Sequence, residues 1–374
     1  MAQHMIIGID LAKHVFQVCM VTPQGTIKTN TTVARGKLLA LIARQPPALI
    51  CMEACGGAHD WARRFGALGH EVRLLAPQYV TPFRRGQKND PNDALALTEA
   101  GQRPNIPTVP IKTIEQQDLQ ALHRVRERLV KHRTAVVNQV RGLLLEYGIV
   151  IPQGIARLRK RLPCVLEEAD NGLSFLMRDL LQSLQSELSA LDTRITEITG
   201  QLTRLSHELE ACQRLQEMEG IGPLSATALV AALGHGHNFH DGRQVAAWLG
   251  LVPRQHSSGG TTRLGGITKG GNSYVRRLLI HGARAVISHV RDKPDAKSAW
   301  IRQLVTRIGV NKACVAVANK MARVAWALLH TGEPYRKPEV LAAKPGERLV
   351  GITRRSPQQG VPHDRRSDRE VHLA

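Results

Sequence analysis

Aromatic residues are scarce in this chain: phenylalanine, tyrosine and tryptophan together make up 3% of its 374 residues. Domains that read single-stranded RNA or DNA by stacking its bases, such as RRM and OB domains, need aromatic side chains on a sheet face. The composition therefore disfavours both classes. If the chain binds nucleic acid, we expect lysine, arginine and backbone amides to bind its phosphates.

Paired cysteines and long apolar runs are missing as well. The six cysteines are scattered with no C-x-x-C pair, which disfavours a disulfide framework or a zinc ribbon. No segment resembles a transmembrane span, and the N-terminal "MAQHMIIGID" does not resemble a signal peptide. These absences predict a cytoplasmic protein that does not enter a membrane.

Acidic residues are too few to balance the basic ones. The 51 lysines and arginines stand against 31 aspartates and glutamates, which gives a formal net charge of +20. An excess of this size makes the chain repel itself and attracts polyanions over a long range. Nucleic acid is therefore the partner that the composition favours, with an anionic membrane surface as the alternative.

What the sequence does contain changes in character along the chain. Residues 1–112 read as three strands in succession and then alternating helices and strands, which is typical of an α/β domain with a mixed sheet. Residues 113–212 predict two long amphipathic helices, with apolar stripes over 119–145 and 173–209, joined by the connection "IPQGIARLRKRLP". The stripes fit an intramolecular helix pair or coiled coil and a dimer contact equally well.

The remainder of the chain divides in two. Residues 213–330 predict a mainly helical region with glycine-rich interruptions, and residues 331–374 predict a disordered basic tail because they are rich in proline, glycine and charge. The segment "LQEMEGIGPLSATAL" has the pattern of a helix-hairpin-helix. Gly220 and Gly222 would there allow a tight turn whose amides bind a phosphate. The alternative is a glycine-rich loop between two core helices.

Four acidic residues occupy positions where a carboxylate needs an explanation. Asp10 and Glu53 end predicted apolar strands, where they are costly unless they are hydrogen-bonded or bind a cation. Asp90 and Asp93 lie in "KNDPNDALAL". Converging carboxylates supply the oxygen ligands that Mg²⁺ prefers. The alternative for "NDPND" is an ordinary helix start, with Asp90 as the N-cap and Pro91 as the first helical residue.

Two adjacent serines lie in the segment "RQHSSGGTTRLGG". A serine is a weak nucleophile unless a base takes its proton or nearby charge stabilises the transition state. Ser257 and Ser258 have several basic neighbours in sequence that suit phosphoryl transfer. The neighbours that we expect to bind nucleic acid are Arg254, Arg263, Lys269, Arg276 and Arg277. On composition alone, a flexible surface loop is the favoured interpretation of this segment.

Taken in order, five segments resemble one known family. They are "GIDLAKH", "MEACGG", "KNDPNDALAL", "GIGPLSATAL" and the stretch from "AAWLGLVPRQHSSGG" to "IHGARAV". This arrangement, which covers about residues 1–330, resembles the DEDD transposases of the insertion-sequence 110 family, which are RNA-guided serine recombinases, and in particular their 1111-like group.

The resemblance implies a fold and a site. It implies a RuvC-like domain of the RNase H fold in residues 1–112, a helical coiled-coil section, and a mainly α transposase domain with the helix-hairpin-helix and the catalytic serine in residues 213–330. It also implies Mg²⁺ bound by the acidic tetrad. The family's serine is followed by glycine, which matches Ser258, and Ser257 is the alternative. The tetrad corresponds to Asp10, Glu53, Asp90 and Asp93.

The resemblance also implies partners and a reaction. The partners are the DNA of the element ends and target, a structured guide RNA, and further copies of the chain, as homodimers that join into a tetramer. The serine would form a covalent phosphoserine link to DNA, in an active site built by different protomers of a cytoplasmic, nucleoid-associated enzyme. One alternative is a RuvC-like invertase or junction nuclease in which water attacks; another is a non-enzymatic architectural protein.

Overall fold

The computed structural model describes residues 4–290 and 293–336. Its N-terminal part is a six-stranded sheet with the order β3-β2-β1-β4-β5-β6. Strands β1, β4 and β5 run parallel, and β2, β3 and β6 pair antiparallel with their neighbours. The strands are β1 (Ile6–Leu11), β2 (Val15–Val21), β3 (Ile27–Ala34), β4 (Leu49–Glu53), β5 (Glu71–Leu75) and β6 (Thr108–Val109). The helices among them are α1 (Arg35–Ala43), α2 (Ala58–Ala67), α3 (Pro77–Val80) and α4 (Asp90–Gly101).

The two faces of this sheet pack against different helices. Alternate residues of β1 and β4 face a core with α1 and α2, and the intervening ones face α4. Helix α4 lies so close to β1 that a Cβ atom on Gly8 would meet the carbonyl oxygen of Ala94 at 2.1 Å. Because side chains alternate along a strand, Asp10 lies on the same face as Gly8, towards α4. The predicted mixed α/β character of this part is confirmed.

A helical section follows the sheet. It consists of α5 (Ile114–Glu146), α6 (Ile155–Glu167) and α7 (Phe175–Glu208). The two long helices predicted from the apolar stripes are present, and they pack on each other within one chain through residues such as Val140, Leu188 and Leu202. The connection between them, for which the sequence predicted no secondary structure, contains the helix α6, with Pro163 inside it.

The end of this helix pair leaves apolar side chains exposed. The stripe predicted over 173–209 is buried from Leu181 onwards, but Phe175 and Leu176 at the start of α7 are 91% and 80% exposed. Leu145 near the end of α5 and Val150 between α5 and α6 are also exposed. We call these four residues the apolar tip. Within one chain, the predicted apolar stripe is therefore only partly buried.

The C-terminal part is mainly helical, as predicted, with one exception. Its helices are α8 (Glu210–Gln216), α9 (Pro223–Leu233), α10 (Gly242–Trp248), α11 (Ser273–Ser288), α12 (Ala296–Ile308) and α13 (Val310–Thr331). The exception is a two-stranded hairpin of β7 (Pro253–Ser258) and β8 (Thr261–Ile267). The segment with the two serines is therefore a β-hairpin, and the prediction of a loop there was wrong.

No helix within the described ranges, 4–290 and 293–336, is long and apolar enough to cross a membrane. The predicted disordered tail lies, from residue 337 onwards, outside the described residues.

Candidate active site and nucleic-acid interface

The sheet and α4 bring the four predicted carboxylates together. Ile9 of β1 pairs with Met52 of β4, so the next residues, Asp10 and Glu53, end neighbouring parallel strands at one edge of the sheet. Helix α4 begins at Asp90 and packs on the face that carries Asp10. Asp93 lies one turn into this helix, and so all four carboxylates meet where α4 starts.

Electrostatics show how close these groups are. Burial raises the pKa of Asp10, and the charges of Asp90 and Asp93 raise it further. Burial likewise raises the pKa of Glu53, with added contributions from Asp10 and Asp93. Carboxylates that raise each other's pKa values are close enough to repel when all are ionised. A bound cation would relieve this repulsion.

The start of α4 differs from the sequence-based alternative. Asn89, not Asp90, is the N-cap: its side-chain oxygen accepts a hydrogen bond from the backbone N–H of Asn92 at 2.9 Å. Asp90 is the first helical residue and Pro91 the second. The helix is thus capped without the carboxylate of Asp90, but Asp90 and Asp93 still lie in its first turn, where acidic residues favour the helix dipole.

Two basic residues of the preceding segment reach the carboxylates. Arg84 Nη1 lies 3.3 Å from Asp93 Oδ1, with both side chains about three-quarters buried. Arg84 and Lys88 each lower the pKa of Glu53, against the larger effects that raise it. Among the described residues, no three His, Cys, Asp or Glu side chains are arranged to hold a metal ion. The oxygen donors nevertheless fit Mg²⁺ chemically, and Arg84 accounts for the direction of the Asp93 carboxylate.

The serines lie at the exposed end of the hairpin. Ser258 pairs with Thr261 across a two-residue turn of Gly259 and Gly260, whose φ values of +54° and +79° favour glycine. Its neighbour Ser257 accepts a hydrogen bond from Gln255 Nε2 at 2.7 Å and donates one to Thr262 Oγ1 at 3.4 Å.

The environment of Ser258 is different. Its hydroxyl has no hydrogen-bond partner among the described residues, and every residue of β7 is exposed. Side chains of paired residues share a face, so Ser258 lies on the same face as the pair His256 and Arg263. Of the two serines, Ser258 is therefore the one with a free hydroxyl next to a basic side chain.

The predicted phosphate-binding residues have different roles in the structure. Arg263 and Lys269 are exposed, and Arg254 donates a long hydrogen bond of 3.4 Å to the carbonyl of Thr268. Arg276 instead donates to the carbonyls of Leu249 and Gly270, and so fixes the segments on both sides of the hairpin. Arg277 forms an ion pair of 2.7 Å with Glu127 on α5. The last two guanidinium groups are thus already occupied within the chain.

The glycines of the predicted helix-hairpin-helix lie between α8 and α9. Gly220 has a φ of +87°, and a Cβ atom there would meet the carbonyl oxygen of Gly282 on α11 at 2.8 Å. Gly222 is the N-cap of α9 and has open space at its Cβ position. Gly220 is therefore required by close packing in the core, whereas Gly222 faces open space at a helix N-terminus.

The hairpin and the carboxylates are separate in one chain. Within the described part of the chain, no hydrogen bond or ion pair joins β7 or β8 to any of the four acidic residues. Sequence reasoning missed Arg84 because a basic residue near a predicted metal site carries no pattern of its own. Lys88 lies inside the motif "KNDPNDALAL", and its charge was the only feature of the sequence that could have indicated a basic residue at this site.

Comparison with known proteins places the chain in a family. Residues 7–149 match the family model of the IS110 DEDD transposase, and residues 212–300 match that of the transposase IS116/IS110/IS902 family. The chain is 45% identical over 331 residues to the transposase for insertion sequence element IS1111A of Coxiella burnetii, covering 88% of this chain and 91% of that protein.

More distant relatives also match over most of both chains. The transposase for insertion sequence element IS1328 of Yersinia enterocolitica is 39% identical, covering 89% of this chain and 98% of that protein. The pilin gene-inverting protein of Moraxella bovis is 23% identical, covering 88% and 97%. The chain thus belongs to the IS110 family of DEDD transposases, enzymes that cut and rejoin DNA.

Proposed function

We propose that this transposase cuts DNA by forming a covalent phosphoserine link at Ser258, assisted by Mg²⁺ at the acidic residues and directed by a structured guide RNA. The observation that carries the proposal is the position of Ser258. It lies at an exposed turn with a free hydroxyl, on the face of the hairpin that also carries Arg263. Ser257 is the weaker candidate because its hydroxyl is held by Gln255 and Thr262.

The reaction conserves the phosphoester bond. The Ser258 Oγ attacks a backbone phosphorus, a new P–Oγ bond forms, and the bond from phosphorus to the 3′ oxygen breaks. The seryl proton passes to a base, and the departing 3′ oxygen takes up a proton to become a hydroxyl. Reversal with a 3′ hydroxyl of a second strand rejoins the DNA and frees the serine, so no nucleotide triphosphate is required.

The acidic residues supply the rest of the chemistry. DEDD nuclease domains typically use divalent metal ions, and we assign Mg²⁺ to Asp10, Glu53, Asp90 and Asp93. When bound, the metal would stabilise charge on the phosphate oxygens. In the metal-free chain, burial and nearby like charges raise the pKa values of Asp10 and Glu53, and a bound cation would offset both effects.

The proposed function also implies a division of the chain into domains. We assign residues 1–112 to a RuvC-like domain, 113–212 to the helical coiled-coil section and 213–330 to the transposase domain, with 331–374 as a basic tail. An antiparallel three-strand unit followed by parallel strands supports the first assignment. We retain the helix-hairpin-helix as a phosphate contact through Gly222 at the N-terminus of α9, and not through Gly220.

We infer that the active site is completed by a second copy of the chain. Among the described residues of one chain, no hydrogen bond or ion pair joins the hairpin to the carboxylates, which supports a site built from the hairpin of one copy and the acids of another. The apolar tip offers a surface for homodimers, which would join into tetramers. The net charge of +20 suits the binding of both element DNA and guide RNA, and we place the enzyme at the bacterial nucleoid.

A trapping assay tests the proposed reaction. Protein, Mg²⁺, DNA spanning the element junction and RNA transcribed from the element's flank are mixed and separated on a denaturing gel. We expect a DNA-linked protein band that Ser258→Ala abolishes and that the matched control Ser257→Ala retains. Loss of the band when Mg²⁺ is omitted would support the proposed metal requirement, and loss when RNA is omitted would support the proposed guide RNA. Cleavage without a linked band in any lane would instead indicate attack by water, as in an invertase or junction nuclease.

A further inference from the structure

A polar pocket lies away from the carboxylates and the serines, between α5 and the start of α11. It has a volume of about 380 Å³. One wall is formed by Lys112 and by residues of α5, and the opposite wall by α9, Trp248 and the segment from Gly271 to Val275. We call it the α5–α11 pocket. Its volume is within the range of small-ligand sites.

The most unusual group in this pocket is the side chain of Lys112. The residue is only 9% exposed, yet among the described residues its ammonium has neither an ion-pair partner nor a hydrogen-bond acceptor. The ammonium is not sealed in the protein, since the one buried polar side-chain atom without a partner in the described part of the chain is Arg214 Nε. Lys112 therefore lines the pocket with an ammonium that keeps some access to solvent and that has no counter-ion among the described residues.

The other polar groups of the pocket add positive charge and donors. Arg124 lines it without a carboxylate partner among the described residues, and Gln120 and Ser273 supply an amide and a hydroxyl. Lys112 and Arg124 line the same pocket, and burial and the charge of Arg124 both lower the pKa of Lys112. The single acidic residue of the lining, Glu127, is neutralised by Arg277 and Lys131.

The frame of the pocket is rigid and electropositive. His123 Nδ1 lies 2.9 Å from the Tyr274 hydroxyl and its Nε2 lies 3.0 Å from Thr227 Oγ1, which ties α5 to α9 and α11. The 16-residue helix α11 points its N-terminus at the pocket, although Asn272 already accepts from the N–H groups of Tyr274 and Val275. The helix therefore contributes its dipole, and the donors come from side chains.

We propose that the α5–α11 pocket binds a phosphate group, held by Lys112 and Arg124. Two cations and a helix N-terminus without a balancing acid fit a multiply charged oxyanion. The phosphate belongs either to a free phosphate or nucleotide, or to the backbone of a bound nucleic-acid strand. Because Gly271 and Asn272 connect β8 to α11, an occupied pocket would also fix the base of the hairpin.

Titration with inorganic phosphate tests the pocket. The purified full chain, without metal or DNA, is titrated by calorimetry at constant ionic strength, with chloride as the reference salt. We expect binding to the wild type, and binding at least about tenfold weaker to Lys112→Met and Arg124→Gln, because each removes a charged donor. The matched control Lys37→Met removes one charge from an exposed position on α1 and should bind as the wild type does.

A stability measurement separates a binding role from a structural one. The Lys112 side chain is mostly removed from water and its ammonium has no partner among the described residues, so Lys112→Met should keep or raise the unfolding midpoint when phosphate is absent. Phosphate should then raise the midpoint of the wild type and of Lys37→Met only. Equal responses of all variants to phosphate, or no response of the wild type, would overturn the proposal.

A second arm identifies the source of the phosphate. Binding of a short labelled DNA duplex and of a transcribed RNA is measured at several salt concentrations. If the pocket holds a backbone phosphate, Lys112→Met should lower the slope of log affinity against log salt by about one relative to Lys37→Met. An unchanged slope with lost phosphate binding would assign the pocket to a free phosphate or nucleotide. Neither arm requires cleavage, so both are independent of the serine and metal chemistry.

Discussion

At the level of single residues, the acidic site is held at a cost to the metal-free protein. Burial raises the pKa values of Asp10 and Glu53; the charges of Asp90 and Asp93 raise that of Asp10 further, and those of Asp10 and Asp93 raise that of Glu53. A carboxyl group whose pKa is higher in the folded than in the unfolded state binds its proton more tightly when folded. Its ionisation therefore destabilises the fold, fully at pH values above the folded-state pKa and not at all below the unfolded value.

Neutralising Asp10 should thus stabilise the metal-free chain. We expect Asp10→Asn to raise the unfolding midpoint at pH 7, and we expect this gain to vanish as the pH falls towards the ordinary carboxyl value of 3.8. Added Mg²⁺ should raise the midpoint of the wild type and not that of the variant. The control is Asp170→Asn at an exposed position. Thermal unfolding at several pH values measures both effects, and a lower midpoint for Asp10→Asn at pH 7 would contradict this reading.

Arg84 should compete with the metal for Asp93. Their ion pair is partly exposed and is worth up to about 1 kcal/mol, so Arg84→Gln should strengthen metal binding up to about fivefold. Titration with Mn²⁺, followed by electron paramagnetic resonance of the free ion, measures this without any reaction. The control Arg85→Gln removes the same charge from the next residue, whose partner is Glu99. An equal effect of both variants would mean that only net charge matters.

At the level of elements, the exposed tip of the helix pair concerns assembly and not folding. Phe175→Glu combined with Leu176→Glu should shift the chain to a smaller oligomer, because both side chains are largely exposed in one copy. The unfolding midpoint should change little. By contrast, Leu181→Ala should destabilise by about 2–5 kcal/mol, because this side chain is fully buried. Light scattering after size exclusion gives the mass, and an unchanged mass for the double variant would remove the tip from the interface.

How far the sequence predicted these elements depends on how much each one is buried. The strands β1 and β4 were evident because their apolar residues are buried on both faces, and α7 because its buried side follows the helical period. The hairpin of β7 and β8 carries no such pattern, since nearly all its residues are exposed. Helix α6 was missed because Pro163 and Gly154 indicate a connection, whereas buried residues such as Leu158 and Leu162 hold it as a helix.

The acidic site was more predictable than its surroundings. Asp10 and Glu53 stand out in sequence because they interrupt apolar strands, and the parallel register of β1 and β4 brings them together as expected. Asn89 as the helix cap and Arg84 as the partner of Asp93 depend on the exact path of the segment before α4. That path is set by tertiary contacts, which the spacing of apolar residues in the sequence does not predict.

At the level of the whole molecule, two chemical sites lie on separate parts of one chain, and this separation has a testable consequence. If each active site combines the hairpin of one copy with the acids of another, two inactive variants should complement each other. We expect Asp10→Asn and Ser258→Ala to be inactive alone, and a mixture allowed to exchange subunits to recover a fraction of the wild-type strand exchange. A mixture of Ser258→Ala with the double variant Asp10→Asn/Ser258→Ala is the control. No recovery in an exchanged mixture would place both sites of one reaction in a single copy.

The most direct measurement of the central claim is to locate the DNA attachment by mass spectrometry. The trapped adduct is trimmed with nuclease and digested with trypsin, which should release the peptide of residues 255–263 between Arg254 and Arg263. This peptide contains both serines together with Thr261 and Thr262, so fragmentation must assign the nucleotide remnant to one hydroxyl. We expect the remnant on Ser258. A remnant on Ser257 or on a threonine, or a peptide that is unmodified although the DNA is cut, would contradict it.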